Sequence, residues 1–278
     1  MKKQISIIIM SFTILATLSF LTTSCNKDEK LKNDNTSASA DDALAEGLFD
    51  NATNIANEAY ENGSGGLKTT NESLFVSGCA IVTLDLTVSP KELTIDFGNE
   101  NCLCEDGRYR RGKILVTFNG EYWAPGTTIT YGFEDYHVND YKIDGTKVIT
   151  NMGLNNEGNL YYSINVVGII TIPDNGGNIS WNSQTEREWV EGNTTWTHLD
   201  DVYLITGVSN GIRSNGLTWS KVITNALRVE IGCRWIVSGT MEIQPEGVAI
   251  RTVDWGDGEC DNIATVLVNG IIITIYLP

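Results

Sequence analysis

The alternation of apolar and polar residues predicts strands over most of the chain. After residue 66, short runs of Val, Ile, Thr, Tyr and Trp alternate with polar residues, and Gly, Asn and Asp separate the runs. No helical period of useful length occurs in this region. We therefore predict an all-β domain over residues 67–278, built as an antiparallel β-sandwich-like meander.

One segment before this domain has a helical period. Between residues 41 and 63 the apolar positions recur at steps of three or four residues, namely Leu44, Leu48, Ala52, Ile55 and Ala59. This spacing predicts one short amphipathic helix that ends at Gly63. Its Gly and Asn content leaves a disordered extension as the alternative. Residues 26–40 are polar without apolar periodicity, so residues 25–40 are predicted to form a flexible tether.

Two Asn-Gly pairs indicate tight hairpins. Asn119-Gly120 and Asn269-Gly270 each suit a two-residue type I′ turn, whose central residues both need positive φ. In the second hairpin Val268 faces Ile271 and Val266 faces Ile273. Because both faces of this ribbon are apolar, we expect it to lie in the interior, with the helix over residues 41–63 covering one side.

The chain also contains an internal repeat. Thr94–Cys102 aligns without a gap to Thr252–Cys260, and each copy has another Cys upstream and an Asn-Gly turn downstream. We therefore predict a repeated Cys-strand-turn-hairpin unit near residues 79–120 and 233–277. Equivalent positions should pair alike, so the predicted disulfides join Cys79 to Cys102 and Cys233 to Cys260. The pairing of Cys104 stays open.

The charge balance restricts the partners. The chain carries 19 Lys and Arg against 35 Asp and Glu, a net charge of -16, which argues against nucleic-acid binding because phosphate neutralisation requires a basic surface. Electrostatic docking to a membrane is unexpected for the same reason.

The N-terminus has the features of a targeting signal. Basic residues at Lys2 and Lys3, an apolar run over residues 5–21 and a Cys at position 25 resemble the lipobox of bacterial lipoproteins, although Leu21 lies one position earlier than the usual Leu. The resemblance implies that residues 1–24 are a removed signal peptide. It also implies that Cys25 carries fatty acids such as palmitate, so that acyl chains anchor the protein to the membrane. A transmembrane helix is the alternative, but about 17 apolar residues are short for a span.

The five residues after Cys25 extend this resemblance. Residues 26–30, Asn-Lys-Asp-Glu-Lys, resemble the acidic export signal of surface-exposed lipoproteins of Bacteroidota. The resemblance implies an outer-membrane protein that faces the cell exterior, whereas an ordinary polar linker is the alternative.

An acidic turn near the C-terminus is a candidate calcium site. Four carboxylates lie within eight residues, namely Asp254, Asp257, Glu259 and Asp261. Hard oxygen ligands in a tight loop suit Ca²⁺, but the spacing differs from an EF-hand and Asp-Gly is also ordinary turn chemistry. Residues 253–258 resemble a short signature of PKD domains. We expect no other cofactor.

The segment from Glu186 to Glu191 supports two alternatives. Its acidic pattern is similar to the strand motif of laminarinase-type glycoside hydrolases, which would use Glu186 and Glu191 and would need a bulge to bring them to one face. A turn at Gly192-Asn193 would instead place Trp189 opposite Trp196, an aromatic pair on which a sugar ring stacks when it is exposed. A buried pair would belong to the core.

These patterns lead to one prediction of function and two alternatives. The chain shows no nucleophile elbow, paired zinc His motif or phosphate loop, so we predict a non-catalytic, lipid-anchored cell-surface module that binds a glycan or protein or has a structural role. The alternatives are a glycan-binding module that uses Trp189 and Trp196, and a β-sandwich glycoside hydrolase that uses Glu186 and Glu191.

Overall fold

The computed structural model describes residues 26–63, 78–194 and 200–276. Its single helix, α1, runs from Asn26 to Gly63, so the prediction of a flexible tether up to residue 40 is wrong: the helix begins 15 residues before Asp41. The chain divides into two units at residue 37, and the account below concerns the second unit, residues 38–278. The predicted signal peptide and Cys25 lie outside the described residues.

Fourteen strands follow the helix. They are β1 Ile81–Asp85, β2 Lys91–Asp96, β3 Cys102–Leu103, β4 Tyr109–Phe118, β5 Thr128–Val138, β6 Tyr141–Leu154, β7 Leu160–Ile172, β8 Gly177–Glu191, β9 Val202–Ile212, β10 Thr218–Glu230, β11 Ile236–Pro245, β12 Arg251–Asp257, β13 Ile263–Val268 and β14 Ile271–Tyr276. The predicted antiparallel all-β meander with one N-terminal helix is confirmed.

All fourteen strands belong to one sheet. The order follows the chain from β1 to β14, except that short β3 pairs only with β4. The two edges are β1 and β14, and no ladder joins them among the described strands. Helix α1 covers one face of this sheet, which we call the inner face, and its buried residues belong to the same core as those of the strands.

Apolar helix residues pack against the middle of the sheet. Phe49 is 1% exposed, and its ring contacts Phe133 edge-on at 5.5 Å and stacks on Trp181 at 5.8 Å between centroids. The ring lies against Gly168 on β7, where an added Cβ would come within 2.4 Å of it. Tyr60 contacts Phe118 further along the helix. The helix therefore crosses the sheet and forms a common core with it.

Charged groups also connect the helix to the sheet. Asp42, which is buried, lies 2.7 Å from Lys221 Nζ on β10 and accepts hydrogen bonds from Trp181 Nε1 and Ser209 Oγ. Asp50 similarly lies 2.7 Å from Lys147 Nζ on β6. Because the helix supplies the carboxylates, the sheet can bury lysines on its inner face.

The two predicted hairpins have different outcomes. Asn269 and Gly270 both have positive φ and form the predicted two-residue turn between β13 and β14, with Val268 opposite Ile271. At Asn119-Gly120 the prediction is wrong, because β5 begins only at Thr128.

The predicted burial of the C-terminal ribbon is also wrong. Ile271, Ile272, Ile273 and Tyr276 are exposed to 63%, 70%, 48% and 72%. The ribbon forms an edge of the sheet, whereas the helix covers strands in the middle. The alternation of apolar residues predicts that these segments are strands, but it does not predict which strands the helix packs against.

The two predicted disulfides are confirmed, whereas the hairpin of the predicted repeat forms in the second copy only. Cys79 bonds Cys102 and Cys233 bonds Cys260. The two copies also share a turn, since Asp96 Oδ1 accepts a hydrogen bond from Gly98 N and Asp254 Oδ1 accepts one from Gly256 N. The remaining cysteine of the described residues, Cys104, is a buried free thiol.

Candidate functional site

The candidate site lies at the end of the sheet where the chain connects β4 to β5, β6 to β7 and β8 to β9. Successive antiparallel strands place the connections over residues 119–127, 155–159 and 192–201 at this end. The opposite end carries the connections over residues 97–108, 139–140, 173–176 and 213–217. Loops held by a rigid sheet are common places for binding residues.

The last residues of β8 alternate between the two faces of the sheet. Arg187 and Trp189 point to the inner face, as does Tyr162, the cross-strand neighbour of Arg187 on β7. Glu186 and Glu188 point outward and line a surface cavity. This alternation follows from the two-residue period of a strand, so one short segment supplies two different surfaces.

On the inner face, aromatic rings surround the guanidinium of Arg187. Its Cζ lies 5.6 Å from the ring centroid of Tyr162 on β7 and 5.1 Å from that of Tyr203 on β9. The Tyr122 hydroxyl accepts a hydrogen bond from Nη2, and the Tyr122 ring stacks on Tyr162 at 4.7 Å. The guanidinium is thus held between two rings, which is a favourable cation–π arrangement.

Two N–H groups of this cluster lack a partner. Arg187 Nε and Trp189 Nε1 are buried and donate to no acceptor among the described residues, while the Trp189 ring lies 5.7 Å from the Tyr203 ring. A buried donor without an acceptor costs roughly 1–3 kcal/mol, and most such donors in folded proteins are satisfied. These two donors belong to residues two positions apart on the same face of β8.

The electrostatics keep the guanidinium charged. Burial disfavours its charged form, but Tyr122, Tyr203 and Asp50 outweigh burial and raise the pKa of Arg187 above its ordinary value. Burial also raises the pKa of Tyr162 and of Tyr203. The cluster therefore presents a cation among neutral phenols, which suits an anionic acceptor.

The outer face of the same strand carries carboxylates. Glu186 and Glu188 line a shallow cavity of about 160 Å³ together with Tyr161. Glu188 Oε1 accepts hydrogen bonds from Asn155 Nδ2 at 2.7 Å and Asn159 Nδ2 at 2.8 Å. The two asparagine amides therefore hold the Glu188 carboxylate in place through hydrogen bonds that it accepts.

The bulge that the hydrolase alternative needs is present after Trp189. Glu188 pairs with Leu204 and Glu191 with Val202, so Glu191 returns to the outer face. Glu186 pairs with Thr206, four ladder positions from Val202, which is about 13 Å along the strand. The carboxylate of Glu191 lies 2.7 Å from Arg228 Nη2 on β10. Hydrolysis needs carboxylates about 5–9.5 Å apart.

The predicted pairing of two tryptophans is wrong. The register places Trp189 opposite Tyr203, and β9 begins only at Val202, so no two-residue turn forms at Gly192-Asn193. Trp196 lies outside the described residues. The aromatic neighbour of Trp189 is therefore Tyr203, and the pair lies on the inner face.

Two of the candidate calcium ligands, Asp254 and Asp261, act as turn residues. Asp254 Oδ1 accepts a hydrogen bond from Gly256 N, and Asp261 Oδ1 accepts one from Ile263 N. Asp257 and Glu259 are exposed. Across the three described ranges, no group of three or more His, Cys, Asp or Glu side chains is arranged to hold a metal ion.

No described helix has the length and hydropathy to cross a membrane. No protein-family model, curated protein or solved structure matches this chain.

Sequence reasoning missed most of the inner cluster. It selected Trp189 but not Arg187, Tyr162 or Tyr203, because these residues come from three strands whose register the sequence does not give. One signal was available: Arg187 occupies the same strand face as Trp189 in a chain with few basic residues. An arginine that points to the buried face of a strand needs side chains that stabilise its charge, but only the strand register identifies the aromatic rings that surround it.

Proposed function

We propose that the protein is a non-catalytic, lipid-anchored cell-surface module that binds a sugar carrying a single carboxylate. The anchor is Cys25, as the lipobox-like N-terminus implies, and the binding site is the Arg187 cluster. The observation that carries the proposal is the pair of buried donors Arg187 Nε and Trp189 Nε1, which have no acceptor in the part of the chain that the structure describes and lie beside the Trp189 and Tyr203 rings.

The chemistry of the cluster defines the ligand class. A guanidinium recognises a planar carboxylate through parallel N–H bonds, and an indole N–H adds a third donor. Aromatic side chains also offer apolar faces against which the C–H groups of a sugar ring pack. The net charge of -16 repels polyanions, so a ligand with one acidic group fits better than a polyuronate.

Binding is favoured over hydrolysis by the arrangement of the outer acids. Glu186 and Glu191 occupy ladder positions about 13 Å apart, and Glu191 forms an ion pair with Arg228 instead of facing Glu186. A nucleophile and an acid that flank one glycosidic bond require a shorter separation.

Calorimetry with two matched sugars tests the site. The probes are methyl glucuronide and methyl glucoside, which differ in the carboxylate. We expect the full chain to bind the glucuronide and Arg187→Met to lose at least about tenfold in affinity. Trp189→Phe, which keeps a ring but removes the N–H, should lose about three- to tenfold.

The control is Arg228→Met, which removes an exposed arginine on the outer face and should leave affinity unchanged. Equal binding of the two sugars, or unchanged binding by a folded Arg187→Met variant, would contradict the proposed site. The anchor is tested separately: Cys25→Ala should release the protein from the membrane fraction, and mass spectrometry should find acyl chains on Cys25 of the native protein.

A further inference from the structure

The second edge of the sheet has the features of an interaction surface. Strand β14, Ile271–Tyr276, has β13 on one side and no partner strand on the other within the described chain. Five of its six residues are exposed, and Ile272 and Tyr276 on one face and Ile271 and Ile273 on the other are large apolar side chains. Both the apolar surface and the free backbone edge need an explanation.

Edge strands are normally protected, and the other edge of this sheet is. Strand β1 has only five residues and ends in Asp85, a charged residue whose Oδ1 accepts a hydrogen bond from Thr87 N. Charges, short length, Pro and bulges prevent edges from pairing with other chains. Strand β14 is only one residue longer than β1, but it has no charge, Pro or bulge, since residues 262–276 contain no Asp, Glu, Lys or Arg and the β13–β14 register is regular.

We propose that β14 pairs with β14 of a second copy of this chain. Two copies with a net charge of -16 repel one another over most of their surface, so they can meet where the surface has no charge. An antiparallel pair of one strand with itself has two-fold symmetry, the commonest symmetry of soluble oligomers. Pairing at this edge also partly covers the exposed apolar side chains that flank it, Ile271, Ile272, Ile273 and Tyr276.

The tight turn fixes the register of this pairing. In a two-residue hairpin the flanking residues exchange backbone hydrogen bonds, so Ile271, Ile273 and Ile275 direct their backbone groups toward β13. Ile272, Thr274 and Tyr276 then direct theirs to the free edge. Pairing Thr274 with Thr274 of the second copy, and Ile272 with its Tyr276, uses all three and places the two-fold axis at Thr274.

Cysteine cross-linking in the full-length protein on intact cells tests this register. Residues in a hydrogen-bonded antiparallel pair have Cα atoms about 5.5 Å apart, within the range of a disulfide. Thr274→Cys should therefore form a covalent dimer on a non-reducing gel. The matched control Ile272→Cys should give at least about tenfold less dimer, because its two copies lie about 13 Å apart along the strand.

A second variant tests the backbone contact. Thr274→Pro removes an N–H that faces the free edge, where Pro is tolerated, so the monomer should fold normally. Light scattering of the detergent-solubilised full chain should show a dimer for the wild type and a monomer for Thr274→Pro, whereas Ile81→Lys on β1 should stay dimeric. The proposal would be overturned if Thr274→Cys formed no covalent dimer, or if the Thr274→Cys and Ile272→Cys variants formed equal amounts of dimer. A dimeric Thr274→Pro variant would overturn it as well.

Discussion

The middle of the sheet and its C-terminal ribbon are built from similar strands but have opposite environments. Strands β6 to β10 bury even lysines, such as Lys147 and Lys221, whereas β14 exposes Ile271 and Ile272. The difference is the helix, which shares a buried core with strands from β2 to β11 and supplies carboxylates to β6 and β10, whereas no β14 residue belongs to that core. Burial in this protein is therefore decided by the covering layer more than by the composition of a strand.

The largest effect should come from removing the centre of the helix–sheet contact. Phe49→Ala leaves a cavity between Phe133, Trp181 and Gly168, and the free energy of unfolding should fall by about 3–5 kcal/mol. Urea unfolding followed by tryptophan fluorescence measures this change. A loss below about 1 kcal/mol would show that the helix does not form the second layer of the core.

The buried ion pair should give the next largest effect. Asp42→Asn removes a carboxylate that neutralises the buried Lys221, so the free energy of unfolding should fall by about 3 kcal/mol near pH 7. Although burial opposes ionisation, Lys221 and the hydrogen bonds from Ser209 and Trp181 hold the pKa of Asp42 below its ordinary value of 3.8.

The pH dependence of this effect has a defined sign. A lowered pKa in the folded state stabilises the protein above the unfolded value, and this stabilisation is lost as pH falls through the folded pKa. The difference between the wild type and Asp42→Asn should therefore be constant above about pH 5 and shrink below about pH 4. A difference that grows on acidification would contradict the assignment.

A smaller loss is expected when a methyl group is added to the same contact. Gly168→Ala places a Cβ against the ring of Phe49, and the overpacking should cost about 1–3 kcal/mol. The double variant Gly168→Ala with Phe49→Ala should be more stable than the sum of the two changes predicts, because the clash disappears with the ring. Additive losses in urea unfolding would mean that the two residues do not contact one another.

The smallest effect should come from the ribbon. Ile272→Thr changes an apolar side chain that is 70% exposed, so the stability of the monomer should change by less than about 0.5 kcal/mol. Urea unfolding at low protein concentration measures this change. A loss above about 2 kcal/mol would show that the ribbon is packed within one chain and would remove the contrast between the two regions.

Local patterns in the sequence were sufficient for the strands, the helix over residues 41–63, the Asn269-Gly270 turn and the two disulfides. Each depends on residues close together in the chain or on two copies of one motif. The segment before Asp41 was assigned incorrectly because its polar composition gives no apolar period, although its backbone is helical.

The candidate site required the register of three strands. Trp189 stood out in the sequence, but its neighbour is Tyr203 on β9, and the ring pair around Arg187 comes from β7 and β9. A loop of uncertain length between two strands shifts every cross-strand pair, so the sequence placed Trp196 where the fold places Tyr203.

The sequence by itself determined which segments form strands and which cysteines join, because side-chain period acts over a few residues and the two cysteine pairs occupy equivalent positions of one motif. The tertiary structure decided which faces are covered. A single helix can lie over only part of a fourteen-stranded sheet, so it buries charged residues in the middle and leaves isoleucines exposed at one edge. That choice depends on contacts between residues more than a hundred positions apart, such as Asp42 with Lys221.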